Sequence, residues 1–375
     1  MAGSRAAVAA AVVGVPADGS TFFIWTRLAP AGGAGRAMLL LALYLINAGY
    51  GFERCFRPLG EFEFVSRSLG GGDEAFAARR TAGNRFKETP LAAAPVPLPS
   101  NYLVGIDVQK VDFENGHNVY LRGKHHFGGV WHWYLYAMLV KEPIALWVLL
   151  AVTLVFAPLP KGRDLLVLLA PAAVVLLLVS WNHSLCHYRY VLPALPFLFV
   201  LAGGAAGVIS RARPVLSAIV IGSLVWFAGS SLAVAPHWLS YFNEIAGGPK
   251  NGWKHLSGSA LDWGQGLVDF KDWLDEHPEA TPLHLAYVGN FDPHLAGIEY
   301  ELPPTEPQPG WHAVSATFLA DGTRLIGVDG EPTSVPPGSY AYFRHFKPVY
   351  RAADALYVYH VTPEEAERVR RITSR

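Results

Sequence analysis

From Ile144 to Asn182 the chain reads IALWVLLAVTLVFAPLP, then KGRD, then LLVLLAPAAVVLLLVSWN. These are two uncharged runs of 17 and 18 residues, Ile144 to Pro160 and Leu165 to Asn182, either side of a short charged connector. At 1.5 Å per helical residue such runs are the length needed to cross a hydrocarbon layer of about 30 Å. Tyr190 to Ser210 and Pro214 to Pro236 add uncharged runs of 21 and 23 residues, and Ala37 to Phe52 a shorter one of 16 that starts directly after Arg36. A single run of this kind also suits a buried core helix, but four in tandem with short connections leave little soluble structure to cover them. Prolines inside the runs (Pro171, Pro193, Pro196) predict kinks, tolerated where neighbouring helices re-satisfy the freed carbonyls.

Composition agrees with this reading. The 375 residues are 51% hydrophobic and only 16% charged, against roughly 25% in an ordinary soluble domain. Thirty basic residues balance thirty acidic ones with no long block of either sign, so no nucleic-acid partner is expected. Cys55 and Cys186 stand far apart, which excludes a disulfide framework and a CxxC site. His183 and His187 are spaced i, i+4 around Cys186, but no third ligand accompanies them, and no metal is expected. No Walker A, GxGxxG or GxSxG motif is present.

Basic residues in short loops orient the spans. Lys161 and Arg163 lie in one connector and Arg211 and Arg213 in another, and Arg5, Arg27 and Arg36 precede the first span. The expectation is a multi-pass α-helical membrane protein of about five spans, N-in and C-out, in the inner (cytoplasmic) membrane, with a C-terminal extracytoplasmic α/β domain. Its parts are a cytoplasmic segment (1–36), a first span (37–52), an outer loop (53–143), a four-span bundle (144–236) and the outer domain (237–375). Met1 to Val15 has a weak, alanine-rich apolar core and reads as an unstructured or truncated start rather than a signal peptide.

Within the outer loop, Ala92 to Pro99 alternates proline so that it should be extended, and Gly128 to Met138 is an aromatic stretch suited to an interfacial helix ending at Lys141-Glu142 before Pro143. In the tail, Leu267, Phe270 and Leu274 have helical spacing, Leu283 to Val288, Ala313 to Leu319 and Leu356 to Val361 read as strands, and Pro363 to Arg371 as a closing helix.

Several strings, in order, resemble a family. Asn101 to Glu114 (NYLVGIDVQKVDFE), Tyr120 to Gly123, Trp131 to Tyr136, Lys141-Glu142-Pro143, His187 to Pro196 (HYRYVLPALP), Leu239 to Pro249 (LSYFNEIAGGP) and Leu261 to Gln265 (LDWGQ) are similar to the later part of bacterial GT-C glycosyltransferases related to protein mannosyltransferases. The likeness covers roughly residues 44 to 360. It implies a membrane enzyme that takes a sugar from a polyprenyl-phosphate donor, a substrate rather than a cofactor, and passes it to an extracytoplasmic acceptor.

The departures are specific. The family's catalytic base is an acidic residue, often in an Asp-x-Asp or Glu-x-Asp pair, in the first outer loop. Here the nearest spacing is Glu61-Phe62-Glu63, in what would be a late loop. The family also has about twice as many spans. The resemblance therefore implies a C-terminal half without the base, working with a separate N-terminal catalytic half or inactive alone. Gly258, Ala260 and Gly266 stand where Asp, Asn and Asp are expected.

A transfer from a lipid phosphate needs cations for the leaving group. Lys141 and Arg189, with His187 and Tyr190, are the candidate donor-phosphate ligands; the alternative is that the two cations are snorkelling anchors at span ends. Asp107, Asp112 and Glu114 are candidate acceptor or sugar contacts, or simply solvated acids. Asp262 with Trp263 offers a carboxylate beside a stacking face, unless Trp263 packs toward Leu267. The competing function is a non-catalytic, membrane-anchored module whose outer domain binds glycan or a partner protein.

Overall fold

A computed structural model of the chain describes residues 33–71, 82–115, 118–181 and 186–373. Arg5, Arg27, the Met1 to Val15 segment and His183 lie outside them. Two compact units divide the described residues.

The first unit holds the residues up to 115 and Pro160–Leu166. Helix α1 (Gly33–Gly49) covers the expected first span but starts earlier and stops three residues sooner. Near its end Asn47 donates to the Leu43 and Pro97 carbonyls at 2.8 and 3.1 Å, which ties this proline-rich loop to the helix; the extended course expected from Ala92 begins only at Ala94, because Pro90–Ala93 forms a single helical turn with proline at its start. A one-turn helix α2 (Arg67–Gly70) follows. The string Asn101 to Glu114 then forms most of helix α3 (Ser100–Asn115), a regular element within the expected outer loop 53–143.

In the second unit, a hairpin of β1 (Asn118–Leu121) and β2 (Lys124–Phe127) precedes α4 (Trp133–Lys141). The aromatic stretch is thus helical only from Trp133, because Gly128 and Gly129 hold positive φ of 78° and 86°. Pro143 ends α4, and α5 (Ile144–Phe156) leaves at 105° to it. α5 is 13 residues long rather than the 17 of the apolar run, since Pro158 and Pro160 cannot continue a helix. Then come α6 (Arg163–Trp181), α7 (Leu195–Gly203), entered through two single turns at Tyr188–Tyr190 and Leu192–Ala194, and α8 (Pro214–Ala233) with proline at its first turn.

Among the described residues three helical stretches are long and apolar enough to cross a membrane, Arg163–Trp181, Tyr188–Val208 and Pro214–Ala233, and a fourth if the bent α4–α5 pair counts as one span. α5, α7 with the turn Gly204–Val208 that follows it, and α8 pack on one another through Leu146, Leu149, Val152, Leu201, Ala205 and Val220. At one crossing Thr153 donates to the Ala202 carbonyl at 3.2 Å, and a Cβ on Gly204 would lie 2.8 Å from the Thr153 methyl, so glycine permits the approach. An apolar groove of about 350 Å³ remains beside this contact, lined by Leu146, Phe199, Gly203, Leu224 and Phe227 among others.

The tail folds as an α/β region. Its sheet has the order β3-β4-β8-β7: β3 (Leu283–Ala286) runs parallel to β4 (Gly310–Ser315), and β8 (Leu356–Val361) pairs antiparallel with both β4 and β7 (Tyr350–Ala352). A separate two-stranded ribbon joins β5 (Arg324–Ile326) and β6 (Pro332–Ser334). The strand expected through Leu319 stops at Ser315, and Ala316–Ala320 is a tight turn of buried side chains.

Alternation along β8 sorts the core into two faces. Leu356 and Val358 join Leu283, Leu285 and Phe270 under helix α9 (Leu267–Glu276). Tyr357, Tyr359 and Val361 join Phe318, Phe343 and Val369, the last from helix α10 (Pro363–Thr373). This second core runs without a break into Trp133, Tyr134 and Ala137 of α4 and Val191 and Leu195 at the entry to α7. Within this unit the α/β region is thereby packed directly on the helical part.

Candidate functional site

The C-terminus of a helix presents carbonyls with no helical partner. At the end of α4 a single side chain from the tail answers several of them. Asn243 donates from Nδ2 to the Leu139 and Glu142 carbonyls at 2.6 and 2.8 Å, and its own N–H donates to the Val140 carbonyl at 2.9 Å. Its Oδ1 accepts from the N–H groups of Ile245 and Ala246 at 3.0 and 3.3 Å, capping the turn Glu244–Ala246.

Lys141 completes the clamp. Its Nζ donates to the Leu239 and Ala260 carbonyls at 2.6 and 2.9 Å and stands 4.4 Å from the centre of the Phe242 ring. The side chain is buried, so it neither snorkels nor faces solvent as an open phosphate ligand. Beside it, Glu142 is buried and accepts a hydrogen bond from the Tyr188 hydroxyl, which ties the bend after α4 to the entry of α7.

The loop from Ser257 to Gly266 is held from below. Asp262 is buried and accepts from the Gly264 N–H at 2.8 Å. Burial pushes its carboxyl up to about 7, against the opposing pull of that N–H and of the Ser315 hydroxyl. Tyr287 donates to the Gly264 carbonyl at 3.1 Å; Gly264 has φ +82°, and a Cβ there would lie 2.1 Å from the Tyr287 hydroxyl oxygen. Gln265 accepts from the Trp263 N–H at 2.7 Å and donates to the Leu261 carbonyl and the Ser240 hydroxyl, both at 3.0 Å.

The outer side of this loop meets the turn before α7. His187 and the Ser259 hydroxyl are hydrogen-bonded, and the Trp263 indole N–H donates to the Ser259 carbonyl at 3.0 Å. The Arg189 guanidinium lies 5.9 Å from the Trp263 ring centre and 5.2 Å from that of Tyr190, whose hydroxyl is 3.3 Å from Nη2. The His187 and Tyr190 rings meet edge to face at 5.7 Å. Arg189 and Trp263 are exposed, and Trp263 is not among the side chains packed around Leu267. Arg189 makes no ion pair among the described residues. An exposed guanidinium between two aromatic faces can take a phosphate through two parallel hydrogen bonds while the rings offer apolar area to an adjoining sugar.

The fold therefore brings together Arg189, His187, Tyr190 and Trp263 and sets Lys141 and Asp262 beneath them. Asp107 and Glu114 lie in the other unit and bind backbone. Asp107 is fully buried and accepts from the N–H groups of Val65 and Ser66 at 2.5 and 3.1 Å. Glu114 accepts from the N–H groups of Arg67 and Ser68 at 2.6 and 3.0 Å. Burial acts to raise the Glu114 pKa, but its hydrogen bonds from Ser68 and from the Arg67 and Ser68 backbone outweigh that and hold the carboxyl below the usual range. Both acids thus answer orphan donors around the start of α2. The Asp112 side chain lies outside the described part of the chain.

Asn243, Ser259, Gln265 and the Glu142–Tyr188 pair were not singled out from sequence. Asn243 and Gln265 lie inside the tail strings that carry the family resemblance, which was the one available signal. Among the described residues no group of three or more His, Cys, Asp or Glu side chains is placed to hold a metal ion. The chain matches no protein-family model, no curated protein and no solved structure.

Proposed function

We propose that this chain is the C-terminal portion of a GT-C-type membrane glycosyltransferase that moves a sugar from a polyprenyl-phosphate donor to an extracytoplasmic acceptor. It retains the leaving-group side of the site and lacks the catalytic base. The observation that carries the reading is the cluster of Arg189, Tyr190, His187 and Trp263, an exposed cation and an exposed indole held by a buried polar scaffold. The apolar groove adds support: its lining begins at Leu146, just past the Glu142–Tyr188 pair, and continues at Phe199 on the helix that Arg189 precedes, a course suited to a lipid tail.

On this reading the protein sits in the cytoplasmic membrane with about five spans, N-in and C-out, among membrane lipid, and a separate N-terminal half supplies the base. In the described cluster the acids are engaged in structure: Asp262 lies under its loop and Glu142 against Tyr188.

The test is sugar transfer and donor binding in proteoliposomes. The isolated chain should bind a polyprenyl-phosphate sugar without turning it over, and Arg189→Ala should weaken binding at least tenfold, about 1.4 kcal/mol. Turnover by the isolated chain that is lost in Glu61→Gln or Glu63→Gln would overturn the absence of a base. Unchanged binding in Arg189→Ala would overturn the phosphate assignment and leave the membrane-anchored binding module as the better account.

A further inference from the structure

From Pro214 to Pro249 the only charged residue is Glu244. The low charge of α8 therefore does not end with the helix at Ala233 but continues through the turns Trp238–Ser240 and Glu244–Ala246 on either side of Asn243. Exposed apolar side chains run along α8, among them Val225, Trp226 and Leu232, and past its end Trp238 and Ile245 are each exposed by nearly three-fifths of their surface.

The polar atoms of the two tryptophans point back into the protein. The Trp226 indole N–H donates to Glu244 and the Trp238 indole N–H to the Ser231 carbonyl, both at 2.9 Å. His237 is paired with Asp269 at 2.9 Å. Apart from the Glu244 carboxylate that accepts the Trp226 N–H, what faces outward is ring and aliphatic surface without an unsatisfied donor, at the end of an apolar helix long enough to span. Amphipathic rings tethered in this manner suit the headgroup layer of a bilayer.

We propose that residues 237–246 form an interfacial anchor, with Trp238 and Ile245 seated in the lipid headgroup layer beside the end of α8. The occupant is the lipid surface itself, because the exposed patch is continuous with the lipid-length helix and carries no lysine or arginine to recruit an acidic partner. The anchor holds the Asn243 clamp against the end of α4 and so fixes the height of the Arg189–Trp263 cluster at the headgroups. It rests on α8 spanning the bilayer, not on the glycosyltransferase reading.

The experiment uses the full chain with Cys55→Ser and Cys186→Ser, reconstituted in phosphatidylcholine vesicles, and one fluorophore placed through Ile245→Cys, Val225→Cys or Leu295→Cys in turn. Leu295 is an exposed position of the α/β region and serves as the aqueous reference. The probe at 245 should be quenched several-fold more than the one at 295 by lipid labelled near the headgroup, and be shielded from aqueous iodide. The quenching should change little between low and high salt, since the segment carries no lysine or arginine to draw it to the surface electrostatically. Quenching at 225 by deep labels with none at 245 would overturn the anchor alone. No quenching at either position would overturn it together with the span. Sugar-donor binding by Arg189→Ala reads the enzymatic proposal separately.

Discussion

Asn243 shows how much a single polar side chain can hold. Its amide group satisfies two carbonyls at the end of α4 and two N–H groups of its own turn, all at a buried position. Replacing it by alanine leaves those groups without partners, and each buried orphan costs about 1–3 kcal/mol. Asn243→Ala should lower thermal stability by about 3 kcal/mol or prevent folding, measured by the unfolding midpoint in detergent. Asn243→Asp should not rescue it, because a carboxylate faces two carbonyls where the amide donated.

Asp262 gives a pH prediction of definite sign. Its folded pKa, about 7, lies above the ordinary value of 3.8, so the neutral form is favoured in the folded protein. The stability it contributes is complete below about pH 4 and is lost as pH rises through about 7. At 1.36 kcal/mol per unit the loss amounts to no more than about 4 kcal/mol. Asp262→Asn keeps an oxygen for the Gly264 N–H and removes the titration. It should therefore be more stable than the parent at pH 8, with a flatter profile between pH 4 and 7; an unaltered profile would show that Asp262 is not the group responsible.

Among the elements, α10 carries its start signal in local sequence. Thr362 accepts from the Glu365 N–H at 3.2 Å, and Glu365 accepts from the Thr362 N–H at 3.1 Å, a reciprocal cap before an apolar pair, Ala366 and Val369, that docks on the sheet. Thr362→Ala should cost about 1 kcal/mol in the unfolding of the α/β region. Hydrogen exchange should find the slowest amides of the sheet in β4 and β8, which are paired on both sides, and faster ones in the edge strand β7, whereas the outer side of β3 is held by Glu301, which accepts from the Leu285 N–H at 2.8 Å. Protection that was greatest at β7 would contradict the strand order.

These elements also mark how far sequence reading reached. The short apolar run Leu356 to Val361 matches β8 residue for residue, because both sheet faces are buried and a strand buried on both sides is apolar throughout. Ala313 to Leu319 was overextended, since a buried tight turn and a buried strand are equally apolar. Helix α3 was missed because polar residues recur around its whole circumference, and α2 docks on it through Asp107 and Glu114 rather than through an apolar stripe.

For the chain as a whole, α6 sets the solvent. It is 19 residues long and among its described side chains only Ala172 is fully buried by protein, while Leu166, Val167, Val174, Leu177, Leu178 and Trp181 stand exposed. Water is a poor environment for such a surface, at about 25 cal/mol per Å² of exposed apolar area. The protein should stay with membranes through an alkaline carbonate wash and leave only with detergent. Recovery in the aqueous supernatant would rule out the spanning assignment for α6, α7 and α8 together.

The positions of the long apolar runs, the places where proline ends them and the strand Leu356 to Val361 follow from the amino-acid order alone, because burial on all sides, in lipid or in a sheet, demands a continuous apolar stretch whose length local sequence must supply. Which polar residues serve a site does not follow from that order. Lys141 and Arg189 look alike in sequence, each a cation at the end of an apolar helix, yet one is enclosed by two carbonyls and a phenyl ring while the other stands exposed between Tyr190 and Trp263. Only the return of residues 239–265 over the end of α4 separates them, since a charge takes its role from the partners that chain folding brings to it from about a hundred residues away.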